Sequence, residues 1–258
     1  MAKITLIGSG KTATALGKSL QAGGHKIMQV WSRREEAANE LAKKIHAAPV
    51  TDLTAIHTDA DIYIIAVKDD AIAEVAKQLR IGNKIVAHTS GIKSKDLLKT
   101  VGMNYGIFYP FVSMTKEADT DFTIALMMIE GSNDQTTEVL YSLAQTLSNN
   151  VKMVEERQRQ SMHLAAVFAH NFTNHMYTIA EKILEEKGLK FDDLRPLIAA
   201  HIVNLQKLPP STLQTGPAIR HDSSTIDTHL TLLDQNTGFK HLYLTMTDAI
   251  QKWYKERK

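Results

Sequence analysis

The chain has 258 residues, 43% hydrophobic and 22% charged, with 30 Lys/Arg against 28 Asp/Glu and no cysteine. That balance gives no electrostatic surplus for nucleic acid or an anionic membrane, and the missing cysteine excludes disulfides, thiolate nucleophiles and Cys-ligated metals. The longest apolar runs, Ile62 to Val67 and Ile124 to Ile129, are far shorter than the roughly 20 residues that span a bilayer, and no signal-length apolar stretch precedes Gly8, so a cytoplasmic protein is expected.

Short apolar runs alternate with stretches of helical period from the start, the grammar of a parallel α/β sheet. Lys3 to Ile7 is a β-branched strand, and Lys11 to Ala22 a helix with Ala13, Leu16 and Leu20 on one side, closed by Gly23-Gly24. Strand His25 to Trp31, helix Glu35 to Ile45, strand Asp61 to Val67 and helix Ala71 to Leu79 follow. Lys84 to His88, Tyr105 to Tyr109, Thr123 to Ile129 and Val151 to Val154 are further strand candidates, which makes a sheet of about seven or eight strands.

After about Glu155 no strand pattern survives. Arg157 to Lys187 reads as one long helix closed by Gly188, and helices to about Lys207, from Ser224 to Leu233 and from Phe239 to Tyr254 complete an all-helical part. The expected domains are therefore 1–155, a mostly parallel α/β sheet domain, and 156–258, an all-helical domain. Charge divides evenly between them, but seven of the eleven histidines lie in the second.

Gly8-Ser9-Gly10-Lys11-Thr12-Ala13 follows the first strand and opens the first helix, as in dinucleotide-binding turns. Gly8 permits the tight turn, Gly10 lets a pyrophosphate approach the backbone, and Ala13 allows close helix–sheet packing. The helix N-terminus offers its unpaired N–H groups to phosphate. Gly10-Lys11-Thr12 resembles the end of a triphosphatase P-loop, but that motif needs glycine where Thr5 stands. The second strand ends in Trp31-Ser32-Arg33-Arg34 rather than in the carboxylate that reads an NAD ribose. A hydroxyl and two guanidiniums suit a 2′-phosphate, so NADP is expected. Solvated arginines at a helix start are the bland alternative.

Ligands of open α/β sheets lie beyond the carboxyl ends of the strands. Val67-Lys68-Asp69-Asp70, His88-Thr89-Ser90-Gly91 and Tyr109-Pro110-Phe111 occupy such ends. Val67 and Lys68 are candidates to touch cofactor, Ser90 to position nicotinamide or substrate, and Asp69 and Asp70 to cap a helix. On the long helix, His163, His170 and Asn174 share a stripe with Asn171 at its edge; this face either supplies a proton or is simply the wet side of an amphipathic helix. Near the end, Thr215-Gly216-Pro217 leads to Arg220, a candidate carboxylate clamp, and to Asp222. His221, Thr225 and His229 would share a face if that segment were helical throughout. A cap and salt bridge between helices is the alternative. No metal-ligand cluster is expected.

Gly8-Ser9-Gly10, Ser32-Arg33, Ala66 to Ile72, His88 to Gly91, the His163 to Asn174 helix and Thr215-Gly216-Pro217…Arg220…Asp222…His229 together resemble a family of NADP-dependent oxidoreductases. Its members have a Rossmann-like N-terminal domain and a helical C-terminal domain of unknown function, and the resemblance covers essentially the whole chain. The family is similar to pyrroline-5-carboxylate reductases and to the 6-phosphogluconate and 3-hydroxyisobutyrate dehydrogenases. The resemblance implies NADP in the first domain and a homodimer through the C-terminal helices. The Gly/Thr-rich substrate segment of the pyrroline-5-carboxylate reductases and the helix-borne Lys–Asn pair of the hydroxyacid dehydrogenases are absent; the matching helix offers His163 and Asn171.

The expectation is an NADP(H)-dependent oxidoreductase moving hydride to or from a C=O or C=N carbon of a small carboxylate-bearing substrate. Ser90 positions, His163 donates a proton, Asn171 orients and Arg220 clamps. The competing expectation is a sensor that holds NADP(H) without turnover.

Overall fold

The computed structural model describes residues 1–114 and 120–255. The chain forms two compact units, Met1–Val167 and Phe168–Lys258.

In the first unit, strands β1 (Lys3–Ile7), β2 (Lys26–Trp31), β3 (Ala48–Val50), β4 (Ile62–Ile65), β5 (Ile85–His88), β6 (Tyr105–Phe111), β7 (Leu126–Gly131) and β8 (Asn150–Met153) form one sheet in the order β3-β2-β1-β4-β5-β6-β7-β8. Neighbours are parallel except β6 and β7. The first six strands follow the 3-2-1-4-5-6 order of dinucleotide-binding sheets.

Both faces are covered, as parallel sheets require, and the two-residue period of each strand assigns the sides. Ile4, Leu6, Ile62 and Ile64 join one core with Leu16 and Leu20 of helix α1 (Lys11–Ala22), Leu41 of α2 (Glu35–Lys44) and Leu140 of α4 (Asp134–Gln145). Ile7, Tyr63 and Ile65 join the other with Ile72 and Val75 of α3 (Ile72–Gln78). Fully burying Leu16 or Leu20 contributes about 1.5–3 kcal/mol each. Ala13 is fully buried, and a Cβ at Gly17 would stand 2.9 Å from Leu6 Cδ1, so these small residues set how closely α1 lies on the sheet.

Two elements were not expected from the sequence. β3 is a three-residue edge strand containing Pro49, tolerable at an edge. α4 begins at Asn133, whose side chain accepts from the Thr136 amide.

The long helix expected over 157–187 is interrupted. α5 (Glu156–Ala166) passes into a π-helical segment, Val167–Phe172, and then α6 (Thr173–Glu185). A π turn holds more than 3.6 residues, so the periodicity that aligned His163 with His170 and Asn174 does not carry across it. The unit boundary also falls later than 155/156, because α5 packs Arg159 and His163 into the first unit.

The second unit continues with α7 (Arg195–Leu205), α8 (Pro217–Arg220), α9 (Ser223–Leu232) and α10 (Thr237–Lys255). His221 adopts a left-handed φ of 54° between α8 and α9, and Asp222 caps α9 through the Thr225 amide. The segment is therefore not one helix, and His221 does not share a face with Thr225 and His229. Among the described residues no helix is long and apolar enough to cross a membrane.

Candidate functional site

Gly8 directly follows β1 with φ +130°, a conformation closed to other residues without strain, and a Cβ there would run into the Ala66 carbonyl. Gly10 is the N-cap of α1; it has no side chain to bond the first turn, that turn carries no acidic residue, and a Cβ there would meet nothing within 4 Å. The first N–H groups of α1, including those of Lys11 and Thr12, thus receive no capping side chain from Gly10 and stand at the positive end of the helix dipole.

The ends of β1 and β2 are tied by a hydrogen bond from Ser9 Oγ to Ser32 Oγ, 2.8 Å, and the Arg34 amide donates to the same Ser32 oxygen at 3.3 Å. Arg33 and Arg34 are exposed and make no ion pair among the described residues. Beside them a cleft of about 410 Å³ is lined by Trp31, Arg33, Leu53, Val67 and Lys68. An uncapped helix, a glycine gap, unengaged guanidiniums and a neighbouring cleft fit the parts of a phosphorylated dinucleotide.

Asp69 and Asp70 do not cap α3. They stand in the first turn of a short 3₁₀ segment whose N-cap is Lys68, and Asp70 pairs with Lys93 at 3.2 Å.

Farther along the carboxyl edge, beyond β5 and β6, is a second cluster. His88 is fully buried; its Nδ1 accepts from the Ser90 amide and its Nε2 lies 3.1 Å from the Ser94 carbonyl. Burial, reinforced by the Arg159 charge, depresses its pKa to about 4, so it is neutral and committed to the turn. Ser90 is also buried, and its Oγ accepts from the amides of Ile92 and Lys93 at 3.2 and 3.0 Å. The hydroxyl expected to position a ligand shapes the 88–94 turn.

His163 of α5 reaches this turn. Its Nδ1 lies 3.0 Å from the Tyr109 hydroxyl, and the two half-buried rings close over Gly91, where a Cβ would stand 2.5 Å from Nδ1 and 2.9 Å from the hydroxyl oxygen. One turn before His163, Arg159 is completely buried, donating from Nη1 to the Ser90 carbonyl at 3.1 Å. Its Nη2 faces Glu130 Oε2 at 3.5 Å, and Glu130 Oε1 receives the Lys95 ammonium at 2.5 Å. Arg159 Nε and Nη2 and Glu130 Oε2 have no hydrogen-bond partner among the described residues. Burial raises the Tyr109 pKa, opposed by the Arg159 charge and aided by Asp69, so Tyr109 keeps its proton at neutral pH.

Tyr109 was visible only as a strand-end residue, and Arg159, Glu130 and Lys95 carried no motif. The available hint was the i, i+4 spacing of Arg159 and His163 on one helix face.

The other expected site residues belong to the second unit. Asn171 is exposed within the π-helical segment. Arg220 is largely exposed and 3.9 Å from Asp222, whose carboxyl is held below its ordinary pKa mainly by the Thr225 hydroxyl and amide. His229 Nδ1 lies 2.8 Å from the Tyr243 hydroxyl on the wall of an apolar cavity of about 300 Å³ that includes Met176, Ile179 and Phe239.

Residues 3–90 match the family described as NADP oxidoreductase, coenzyme F420-dependent, and residues 125–250 match a domain of unknown function, DUF2520. Glycerol-3-phosphate dehydrogenase [NAD(P)+] of Staphylococcus aureus is 33% identical over 92 residues, covering 31% of this chain and 27% of that protein. The chain thus spans about a quarter of the length of the curated relatives it matches. At 14–16% identity, which shows the fold alone, two solved structures align: the reductive aminase of Aspergillus terreus in complex with NADPH and ethyl-5-oxohexanoate (TM-score 0.76, 99% of this chain and 94% of that one) and 1-pyrroline-5-carboxylate reductase of Streptococcus pyogenes (0.64, 99% and 98%). BF3122 of Bacteroides fragilis, provisionally described as an NADP oxidoreductase, is 39% identical with a TM-score of 0.90 over 97% of this chain and 98% of its own. With that identity over nearly the full length of both proteins, the chain belongs to the NADP oxidoreductase family that the Bacteroides protein represents.

Proposed function

We propose that the chain is a cytoplasmic, homodimeric, NADP(H)-dependent reductase acting on the C=O or C=N carbon of a small carboxylate-bearing substrate. The observation that carries this reading is the uncapped glycine turn of β1–α1 beside Ser32, Arg33 and Arg34 on a sheet of dinucleotide-binding order. Gly8, Ser9, Gly10, Lys11 and Thr12 would hold the pyrophosphate. Ser32, Arg33 and Arg34 would hold the 2′-phosphate, and Val67 and Lys68 would border the cofactor. When bound, NADPH supplies a hydride.

The chain's own residues orient the substrate and supply the proton. His163 is the proton source, an imidazole whose Nδ1 is already in a hydrogen bond at the carboxyl edge of the sheet. Ser90 acts through the backbone turn that it stabilises. Arg220, exposed and 3.9 Å from its carboxylate neighbour, is free to receive a substrate carboxylate bidentately, and Asn171 orients the substrate. In support of the homodimer, α7 buries none of its residues, and Leu197 and Leu232 are 69% and 70% exposed, more apolar surface than a monomer ordinarily leaves in water.

The test compares NADPH and NADH binding to the full chain and to Arg33→Ala, followed by NADPH oxidation with small keto and imino acids. Tighter NADPH binding that Arg33→Ala abolishes selectively, with turnover of at least one acid, is expected. Equal affinities for the two cofactors overturn the NADP assignment, and binding without turnover favours the sensor.

A further inference from the structure

Tyr109 is not used by the reading above, yet its hydroxyl is the polar atom that meets His163. The register of the sheet places it. Ile7, Trp31, Ile65, His88 and Ile107 align across β2-β1-β4-β5-β6, so Tyr109 stands two residues beyond that row, at the carboxyl edge. It lies three strands from Gly8, about 14 Å at the usual strand spacing, on the side away from β2. Ser32, Arg33 and Arg34, which would hold the 2′-phosphate, are on the β2 side, so a dinucleotide held there would supply its hydride on the other side of Gly8, where Tyr109 stands.

The space between the two rings exists only because residue 91 is glycine. Arg159 from α5, Asp69 after β4, His88 at the end of β5 and Glu130 on β7 are the charged and titratable groups around the pair.

We propose that Tyr109 is a catalytic residue: its hydroxyl hands the proton to the substrate, and His163 replaces that proton through the Tyr109–His163 hydrogen bond. This rests on the reductase reading. As the substrate carbon gains hydride from NADPH, the C=O or C=N π bond breaks and its electron pair takes the Tyr109 O–H proton. Tyr109 oxygen simultaneously takes the Nδ1 proton of imidazolium His163. The products are the alcohol or amine, NADP⁺, neutral His163 and an unchanged Tyr109, and His163 reloads from solvent. The Arg159 cation favours any negative charge that develops on the Tyr109 oxygen.

Tyr109→Phe keeps the ring that packs at 6.2 Å on both Phe111 and His163 and removes only the relay atom. With the full chain, NADPH oxidation by pyruvate and 2-oxobutanoate, each alone and with methylamine, is expected to lose about 100-fold in kcat. KM and the NADPH-induced thermal shift should stay unchanged. His163→Gln loses as much, and the double variant no more than either, as for residues acting in one unit. As a readout independent of turnover, the His163 resonance in ¹⁵N NMR, identified by its disappearance in His163→Gln, should shift in Tyr109→Phe. A Tyr109→Phe enzyme within about threefold of wild type, or an unmoved His163 resonance, overturns the relay and leaves the reductase reading standing. Wild-type protein that binds NADPH and reduces none of these probes overturns both.

Discussion

Arg159 is a fully buried cation whose compensation comes from Glu130, itself shared with Lys95, and this makes Glu130→Gln a sharp perturbation. The amide keeps shape and volume but removes the charge 3.5 Å from Arg159 Nη2, a separation at which the gross attraction is about 5 kcal/mol at an effective dielectric of 20. Glu130 retains 12% exposure, so part of this is screened. Stranding a buried ion typically costs about 3–5 kcal/mol, and we take the lower end. For a unit of this size that lowers Tm by roughly 10 °C. Trp31, buried in the first unit, and Trp253, on α10, are the two tryptophans, so fluorescence-monitored urea and thermal unfolding in a Trp253→Phe background reports the first unit. Arg159→Met added to Glu130→Gln removes the stranded charge and should recover most of the loss, at the expense of about 1 kcal/mol for the undonated Ser90 carbonyl. A Glu130→Gln cost below about 1 kcal/mol would refute the reasoning, because it would mean that solvent already compensates the guanidinium.

The His88 pKa is about 4 in the fold, against 6.5 for a free imidazole. The unfolded chain therefore binds the extra proton first. Its contribution is fully present above about pH 6.5 and is lost as pH falls toward 4, about 3 kcal/mol across that window. Urea midpoints between pH 7 and 4 should show this slope in wild type and a shallower one in His88→Gln; parallel slopes would contradict it. Gly91→Ala places a methyl 2.5 Å from His163 Nδ1 and 2.8 Å from Tyr109 Cζ. It should displace the pair and reduce turnover by at least about tenfold, with NADPH binding retained; unchanged turnover would show that the pair is not positioned by this contact. Gly8→Ala forces an L side chain into φ +130° and toward the Ala66 carbonyl. It should cost about 1–3 kcal/mol and remove the NADPH-induced thermal shift, and a full shift in this variant would argue against the glycine cradle.

The parts of this fold that were legible in the sequence are those whose determinants are local. Gly8, Gly10 and Ala13 specify one turn and one helix, and the alternation of Ile4, Thr5, Leu6 and Ile7 specifies a strand buried on both faces. β3 escaped because three residues including Pro49 show no period, and its existence depends on pairing with β2. α4 left a signal in Asn133 and in the spacing of Leu140, Leu143 and Ala144, overlooked because the flanking strands dominate the pattern. The π turn at Val167–Phe172 has no residue signature, and a fixed angle of 100° per residue steps over it.

The cluster around His163 was harder to read for a deeper reason. Arginine is ordinarily an exposed residue, so nothing in Arg159 announces burial. Its partners are the Ser90 carbonyl, 69 residues earlier, and Glu130 on β7. His163 was found through its own chemistry, whereas Tyr109 takes its meaning from the atom beside it. A group recognised by type can be read one residue at a time. A group recognised by its neighbour exists only after β5, β6, β7 and α5 have met, and in this chain Tyr109, Arg159 and Glu130 are all of that second kind.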